Sequence, residues 1–220
     1  MEVTERAGRR ALSAADDLIE RIRLKLLADP QAAEVTATLA PDWMPEGGFS
    51  GPPRDAAVLI AVVRRGDELS VLYTERSPDL RSHSGQVAFP GGKIDPGDAG
   101  PAEAALREAQ EEVALRPEDA RVLGYLPAYF TGSNYMITPV VAEVVPQSAF
   151  IPNPSEVKSV FEVPLPLLMR EESFGIYRIR RKDQEHTTWQ IAHEGQVIWG
   201  ITANLTRRFY ELVLKDEEAA

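Results

Sequence analysis

Two apolar patterns alternate along this chain. One recurs with the period of a helix and the other with the period of a strand. Ser13, with Asp16 three positions on, opens a stretch in which Leu18, Ile19, Ile22, Leu26 and Leu27 fall on one helical face before Pro30. Ala56 to Val63 is a nearly continuous apolar run, and Glu68 to Tyr73 follows a Gly66-Asp67 turn. That pair predicts a hairpin with one strand buried on both faces. Ala102 to Val113 contains neither glycine nor proline, and Ala102, Ala105, Leu106, Ala109 and Val113 share one face at about 100° per residue. A helix is expected there. Val122 to Phe130 and Met136 to Val145 read as strands around a Thr131-Gly132-Ser133-Asn134 turn, and Val160 to Val163 and Leu165 to Met169 as further apolar packing. Phe174 to Ile198 alternates around a His193-Glu194-Gly195 turn and predicts paired strands, with Trp189 and Trp199 in the core. Ile201 to Leu214 predicts a closing helix with Ala203, Leu205, Phe209, Leu212 and Val213 on its apolar side.

These elements suit one α+β domain over 54–214. Residues 1–53 form a helix and a proline- and glycine-rich linker that carries Trp43 and Phe49 onto the domain, and 215–220 form an acidic tail. A net charge of -10 argues against general nucleic-acid binding, which relies on many basic contacts to phosphate. It leaves room for a small anionic substrate that receives local help from a cation or an arginine cluster. The absence of cysteine removes disulfides, thiolate catalysis and cysteine-based zinc sites together. No apolar stretch reaches membrane-spanning length and MEVTERAGRR lacks the apolar core of a signal peptide, so a cytoplasmic protein without a membrane partner is expected. The oligomeric state stays open.

The chemistry concentrates between Phe89 and Leu115. Glu108, Glu111 and Glu112 stand at i, i+3 and i+4 on the face of the predicted helix away from its alanines. Like charges at that spacing repel, so helix stability alone does not favour three together. A solvated helix face is the bland account of such a run. Arg107, four positions from Glu103 and from Glu111, offsets part of the charge but leaves Glu108 and Glu112 without an obvious protein cation. Oxygen ligands of this kind suit Mg(II) or Mn(II). The preceding Gly91-Gly92 lets the backbone come close to a ligand and frees a carbonyl that can face the same metal.

Gly92, Arg107, Glu108, Glu111, Glu112 and Leu115 together resemble the signature box of the Nudix hydrolases. The chain departs from that box in two places. Asp98 stands for its first glutamate, with eight residues between Asp98 and Arg107, and Ala114 stands where the box has glycine. The second change bears on how the helix ends, because alanine resists the left-handed conformation that glycine accepts there. Upstream, Thr74 to Ala88 shows neither helical nor strand periodicity and reads as a loop bearing Arg76, Arg81, His83 and Gln86, cationic and hydrogen-bonding groups suited to a substrate. Leu72, Thr74, Arg76, Ser77, Arg81, Gly85, Phe89, Pro90, Gly91 and Gly92 resemble the signature of the coenzyme A pyrophosphatase branch, with Tyr73 as the one departure. An acid at the place of Asp98 and the longer spacing to Arg107 are common in that branch.

The resemblance implies the Nudix fold, a mixed sheet sandwiched between α-helices. It also implies hydrolysis of the pyrophosphate of coenzyme A to 3',5'-ADP and 4'-phosphopantetheine. Glu108, Glu111, Glu112 and Gly92 would serve the metal, and Glu111 or Glu112 would take a proton from water. Glu156, delivered by the Pro146 to Ser155 loop, is a further candidate base or ligand. Two alternatives remain: a Nudix enzyme for another nucleoside diphosphate such as ADP-ribose or NADH, and a non-catalytic nucleotide-binding module. The intact glutamates count against the second.

Overall fold

The structure is a computed structural model and describes residues 13–35, 48–80, 85–181 and 184–215. Its centre is β1 (Arg54–Arg65), which runs parallel to β7 (Tyr135–Val144) from Arg54↔Tyr135 to Val63↔Val144. The continuous apolar run of β1 follows from burial on both faces. Ile60 and Val62 join one core cluster, whereas Leu59, Ala61 and Val63 join the other.

β1 changes partner along its length. Its C-terminal end pairs antiparallel with β2 (Glu68–Arg76), whereas Ala56 to Val58 pair with β4 (Gly91–Lys93). β2 correspondingly leaves β1 and takes up β3 (Val87–Ala88) at Thr74 and Glu75. Phe89-Pro90 therefore crosses between two splayed strands, fixed where the Leu59 N–H donates to the Pro90 carbonyl at 2.8 Å. The outer edge of β2 carries β8 (Val157–Pro164), and β7 carries β5 (Ala120–Tyr125) and β6 (Tyr129–Phe130).

α3 (Pro101–Val113) covers one face of this sheet. The other face is covered by α1 (Ala14–Lys25) and by α5 (Gly200–Phe209), with a three-stranded sheet of β9 (Gly175–Arg181), β10 (Gln184–His193) and β11 (Gln196–Trp199) packed beside them. Two short helices complete the chain, α2 (Pro30–Val35) and α4 (Leu165–Leu168). The fold is thus a mixed sheet between helices, as expected. α1 opens on a capping box in which Ser13 and Asp16 satisfy each other's backbone N–H, at 3.2 and 3.0 Å. Arg64 then ties that cap to the sheet through Asp16 at 2.6 Å and Ser13 at 3.1 Å.

α5 is tied to the strands that lead into the glycine turn. Tyr73 is fully buried, stacked between Phe89 and Phe161 at 4.9 and 5.7 Å, and its hydroxyl meets Thr206 Oγ1 at 3.0 Å. The Thr202 hydroxyl donates to the Val87 carbonyl at 2.9 Å.

Several boundaries differ from the sequence expectation. Thr74 to Arg76 belong to β2 and not to the loop, because β8 and β3 satisfy their backbone from either side and leave no need for an apolar alternation. The strand expected over Val122 to Phe130 breaks into β5 and β6 around Pro127, which has no N–H for a ladder. The closing helix loses α geometry after Phe209 and widens into a π turn over Tyr210–Leu214, which leaves Leu212 exposed at 46%. Trp189 and Trp199 are half-buried; Trp189 packs against the core from its margin, whereas Trp199 does not join it. The first stacks under the Arg207 guanidinium at 4.4 Å and the second on Tyr177 at 5.1 Å. Phe49 does rest on the domain, edge-on to Phe130 at 5.4 Å, whereas Trp43 and residues 216–220 lie outside the described residues.

Candidate active site

α3 approaches the sheet on small side chains. Ala105 and Ala109 lie against Ala57, Leu59 and Ala61 of β1 and Val140 and Ala142 of β7, so the helix axis sits close to the strands. That approach brings Glu108 and Glu112 against β4. A Cβ added to Gly92 would stand 2.3 Å from Glu108 Oε1, and one added to Gly91 would stand 2.4 Å from the Ala57 carbonyl oxygen. Gly91 is thus required by its close approach to the backbone of the neighbouring strand, whereas a side chain at Gly92 would force the Glu108 carboxylate to move. The helix ends in a left-handed residue despite its side chain. Ala114 has φ 54°, its N–H donates to the Gln110 carbonyl at 3.1 Å, and the Leu115 N–H reaches the Ala109 carbonyl at 3.3 Å.

Glu112 is the most enclosed of the acids. Its side chain is 4% exposed, the Gly91 N–H donates to Oε2 at 3.3 Å, and Arg76 Nη1 lies 3.8 Å from Oε1. Burial pushes its carboxyl up to about 7 against the pull of Arg76, with the negative charges of Glu108 and Glu156 adding to the rise. Glu108 is likewise held above the usual carboxylate range, first by burial. Arg107 Nη1 donates to its Oε1 at 3.1 Å. The sequence expectation that both glutamates lack a protein cation is therefore corrected, since Arg107 reaches Glu108 and Arg76 stands beside Glu112. Glu111, half-exposed at 54%, sits at the rim and meets Arg107 only at 3.5 Å.

Arg107 is the hub of this wall. Nε and Nη2 donate to the two oxygens of Asp98, and Nη2 also donates to the Lys93 carbonyl at 3.1 Å. Asp98 thus faces the arginine and not the carboxylate pair. The loop after β7 closes the far end of α3, where the Asn153 N–H donates to the Glu112 carbonyl at 2.8 Å and the Glu156 carbonyl accepts from the Ser77 N–H at 2.8 Å. Glu156 is close enough for its charge to act on both Glu108 and Glu112. Gln86 lies opposite Arg76 in the ladder and its carbonyl accepts the Arg76 N–H at 3.0 Å. Arg81 and His83 lie outside the described residues.

Among the described residues, no three acidic or imidazole side chains already converge as a ready cage. Mg(II) does not need one. It keeps several waters and is commonly held by one or two carboxylates together with substrate phosphates. A buried and a partly buried carboxylate whose charge the protein leaves incompletely neutralised fit such an ion, and the backbone of Gly92 lies against the second, Glu108. A cavity of about 570 Å³, lined by Trp189, Asn204 and Arg207 among others, opens on the α5 layer and is separate from these acids.

Sequence reasoning missed two partners. Asn153, which fixes the end of α3, gave no signal in the sequence. Asp98 gave one, since it stands nine positions before Arg107, across the Gly100-Pro101 start of α3.

The profile of the NUDIX domain matches residues 53–190. A protein of Citrobacter koseri described as an uncharacterized Nudix hydrolase, NudL, is 45% identical over 154 residues, 70% of this chain and 80% of its own length. Its counterpart in Pectobacterium atrosepticum is 44% identical over 155 residues, 68% and 78% of the two chains. Among solved structures, a Nudix hydrolase from M. smegmatis, RenU, is 26% identical with a TM-score of 0.43 and covers 55% of this chain and 77% of its own.

Proposed function

This chain belongs to the Nudix hydrolase family, and from that premise we propose that it is a metal-dependent pyrophosphohydrolase that cleaves coenzyme A, free or acylated, to 3',5'-ADP and 4'-phosphopantetheine. The observation that carries the hydrolytic reading is the pair Glu108 and Glu112, desolvated against the Gly91-Gly92 backbone with Arg76 alongside. The substrate reading rests on the spacing of Arg76, Ser77, Arg81 and Gly85 ahead of that turn.

Mg(II) or Mn(II) bound by Glu108, Glu112 and the Gly92 carbonyl would offset the charge of two adjacent phosphates and lower the pKa of an attacking water. The protein's own part is to hold these ligands still. Arg107 fixes Glu108, the Gly91 N–H fixes Glu112, and Asn153 pins the carbonyl of Glu112. Glu111 at the rim and Glu112 inside are the candidate bases for the water, and Glu156 is a third on the facing loop. Arg76, Arg81, His83 and Gln86 are the proposed substrate contacts.

The deciding experiment is product analysis over coenzyme A, dephospho-coenzyme A, ADP-ribose and NADH with Mg(II) or Mn(II). The expected result is 3',5'-ADP with 4'-phosphopantetheine from coenzyme A at the highest kcat/KM of the panel. Dephospho-coenzyme A with free phosphate would exclude cleavage at the pyrophosphate. Preferred turnover of ADP-ribose or NADH would move the substrate assignment and leave the chemistry in place.

A further inference from the structure

Arg76 is held by its backbone and left unfilled at its head. Its N–H and C=O are both used, by the Gln86 carbonyl at 3.0 Å and the Gly85 N–H at 3.2 Å, and the next residue, Ser77, is anchored to the Glu156 carbonyl at 2.8 Å. The β2–β8 ladder shifts register between Glu75 and Arg76, which re-aims the side chain at the end of the strand. The guanidinium then lies with Nη1 3.8 Å from Glu112 Oε1, an ion-pair distance too long for a hydrogen bond. Nε is buried and has no acceptor among the described residues. An arginine carries five donors in a fixed fork, and this one, 27% exposed at its side chain and with Nη1 only at ion-pair distance from Glu112, keeps donors open to a planar or tetrahedral oxyanion.

The position of that receptor selects the anion. Glu112 is one of the proposed metal ligands, so a phosphate oxygen held by the same ion would lie next to the Arg76 fork. The 3'-phosphate of coenzyme A is on the far side of the ribose from the scissile bond and cannot share that place. We infer that Arg76 binds the scissile pyrophosphate itself, donating to its non-bridging oxygens, and that in the absence of substrate the same guanidinium serves as the counter-ion of Glu112. Arg76 is then a residue for every pyrophosphate this enzyme turns over. The inference rests on the pyrophosphatase reading above but not on coenzyme A as the substrate.

Arg76→Ala and Arg76→Lys are compared with the unmutated protein after thermal melting confirms folding. Lysine keeps the charge and loses the fork. Three measurements follow. Affinity for adenosine 5'-(α,β-methylene)diphosphate with Mg(II), by isothermal titration, falls about tenfold or more in Arg76→Ala, with a smaller loss in Arg76→Lys. Mn(II) binding without nucleotide, read by electron paramagnetic resonance, is retained or tightened in Arg76→Ala, because a cation has been removed from beside Glu112. kcat/KM falls by one common factor, roughly tenfold to a hundredfold, on coenzyme A, dephospho-coenzyme A and ADP-ribose. Unchanged affinity for the methylene analogue overturns the inference. So does a loss confined to coenzyme A, which would assign Arg76 to the 3'-phosphate, and so does a collapse of Mn(II) binding, which would make Arg76 a support for Glu112 only. If coenzyme A is not a substrate, the analogue and Mn(II) measurements still decide the role of Arg76. If Arg76→Ala does not fold, Arg76→Lys carries the same three comparisons.

Discussion

Arg107 reaches back to Asp98 and grips both of its carboxylate oxygens, with Nε–Oδ1 at 3.0 Å and Nη2–Oδ2 at 3.1 Å, while its remaining arm holds Glu108. Paired charge-assisted bonds of this kind fix direction as well as distance. Asp98→Ala should therefore leave a swivelling Arg107 and a loosened Glu108. The expected outcome is a fall in kcat of about tenfold to a hundredfold, since small misplacements of a site are that costly. Mn(II) affinity should weaken by less than about tenfold, because Asp98 is not a ligand in this arrangement. Complete loss of metal binding in a folded Asp98→Ala protein would place Asp98 among the ligands and sink this account.

Glu112→Gln keeps the size of the side chain and removes the buried charge. We expect at least a hundredfold loss of kcat, comparable to removing a main electrostatic element of a site, and chelation of the metal should abolish turnover of the unmutated enzyme. Stability should move the other way. Burial holds the folded carboxyl at about 7 against an ordinary value of 4.5, so the metal-free fold loses stability as pH rises between those two values. At pH 8 without metal, Glu112→Gln should melt above the unmutated protein. A lower melting point there would contradict the burial argument.

Ala114→Gly tests the end of α3. Alanine in the left-handed region costs about 1–2 kcal/mol, part of which glycine gives back through its freer unfolded chain, so a net gain of about 0.5–1 kcal/mol is expected. That corresponds to a rise in Tm of about 1–4 °C. The ligand spacing is untouched and kcat should not change.

The tie between α1 and the sheet carries its own pH signature. The hydrogen bond from Arg64 holds the Asp16 carboxyl down at about 2, with the Ser13 N–H helping, against an ordinary value of 3.8. A lowered folded pKa means that the stability is present above about pH 4 and is lost as pH falls through about 2. Asp16→Asn should therefore lower Tm at pH 7, and the gap from the unmutated protein should close in that acid window. A gap of constant size down to pH 2 would show that Asp16 acts through its shape and cap alone.

Much of the fold was written in periodicity. β1 could be read because a strand buried on both faces has to be apolar throughout, and α3 because alanine, leucine and glutamate leave little else for that stretch to do. The acids packed against the glycine turn, Glu108 and Glu112, were legible for a different reason, as a fixed spacing on a helix that a glycine pair precedes. What stayed hidden was decided by partners far along the chain. Thr74 to Arg76 are polar and still form a strand, since β8 supplies one edge and β3 the other. The cation beside Glu112 comes from Arg76, 36 positions earlier and on another element, which no local pattern reports. Arg81 and His83, expected at the substrate, lie outside the described residues.

The two hydrogen bonds that join α5 to the strands, from the Thr202 hydroxyl to the Val87 carbonyl and between the Tyr73 and Thr206 hydroxyls, bear on where the protein can be cut. The stretch that matches the family profile stops at 190, ten residues before α5 begins. Leu205 and Phe209, which help seal the α1 face of the main sheet, also lie beyond that limit. A fragment trimmed to the profile would keep every proposed ligand and still leave the Tyr73 hydroxyl and the strand feeding the glycine turn without their partners. The unit of homology is thus shorter than the unit of folding, and a chimera or minimal fragment has to run through Leu214.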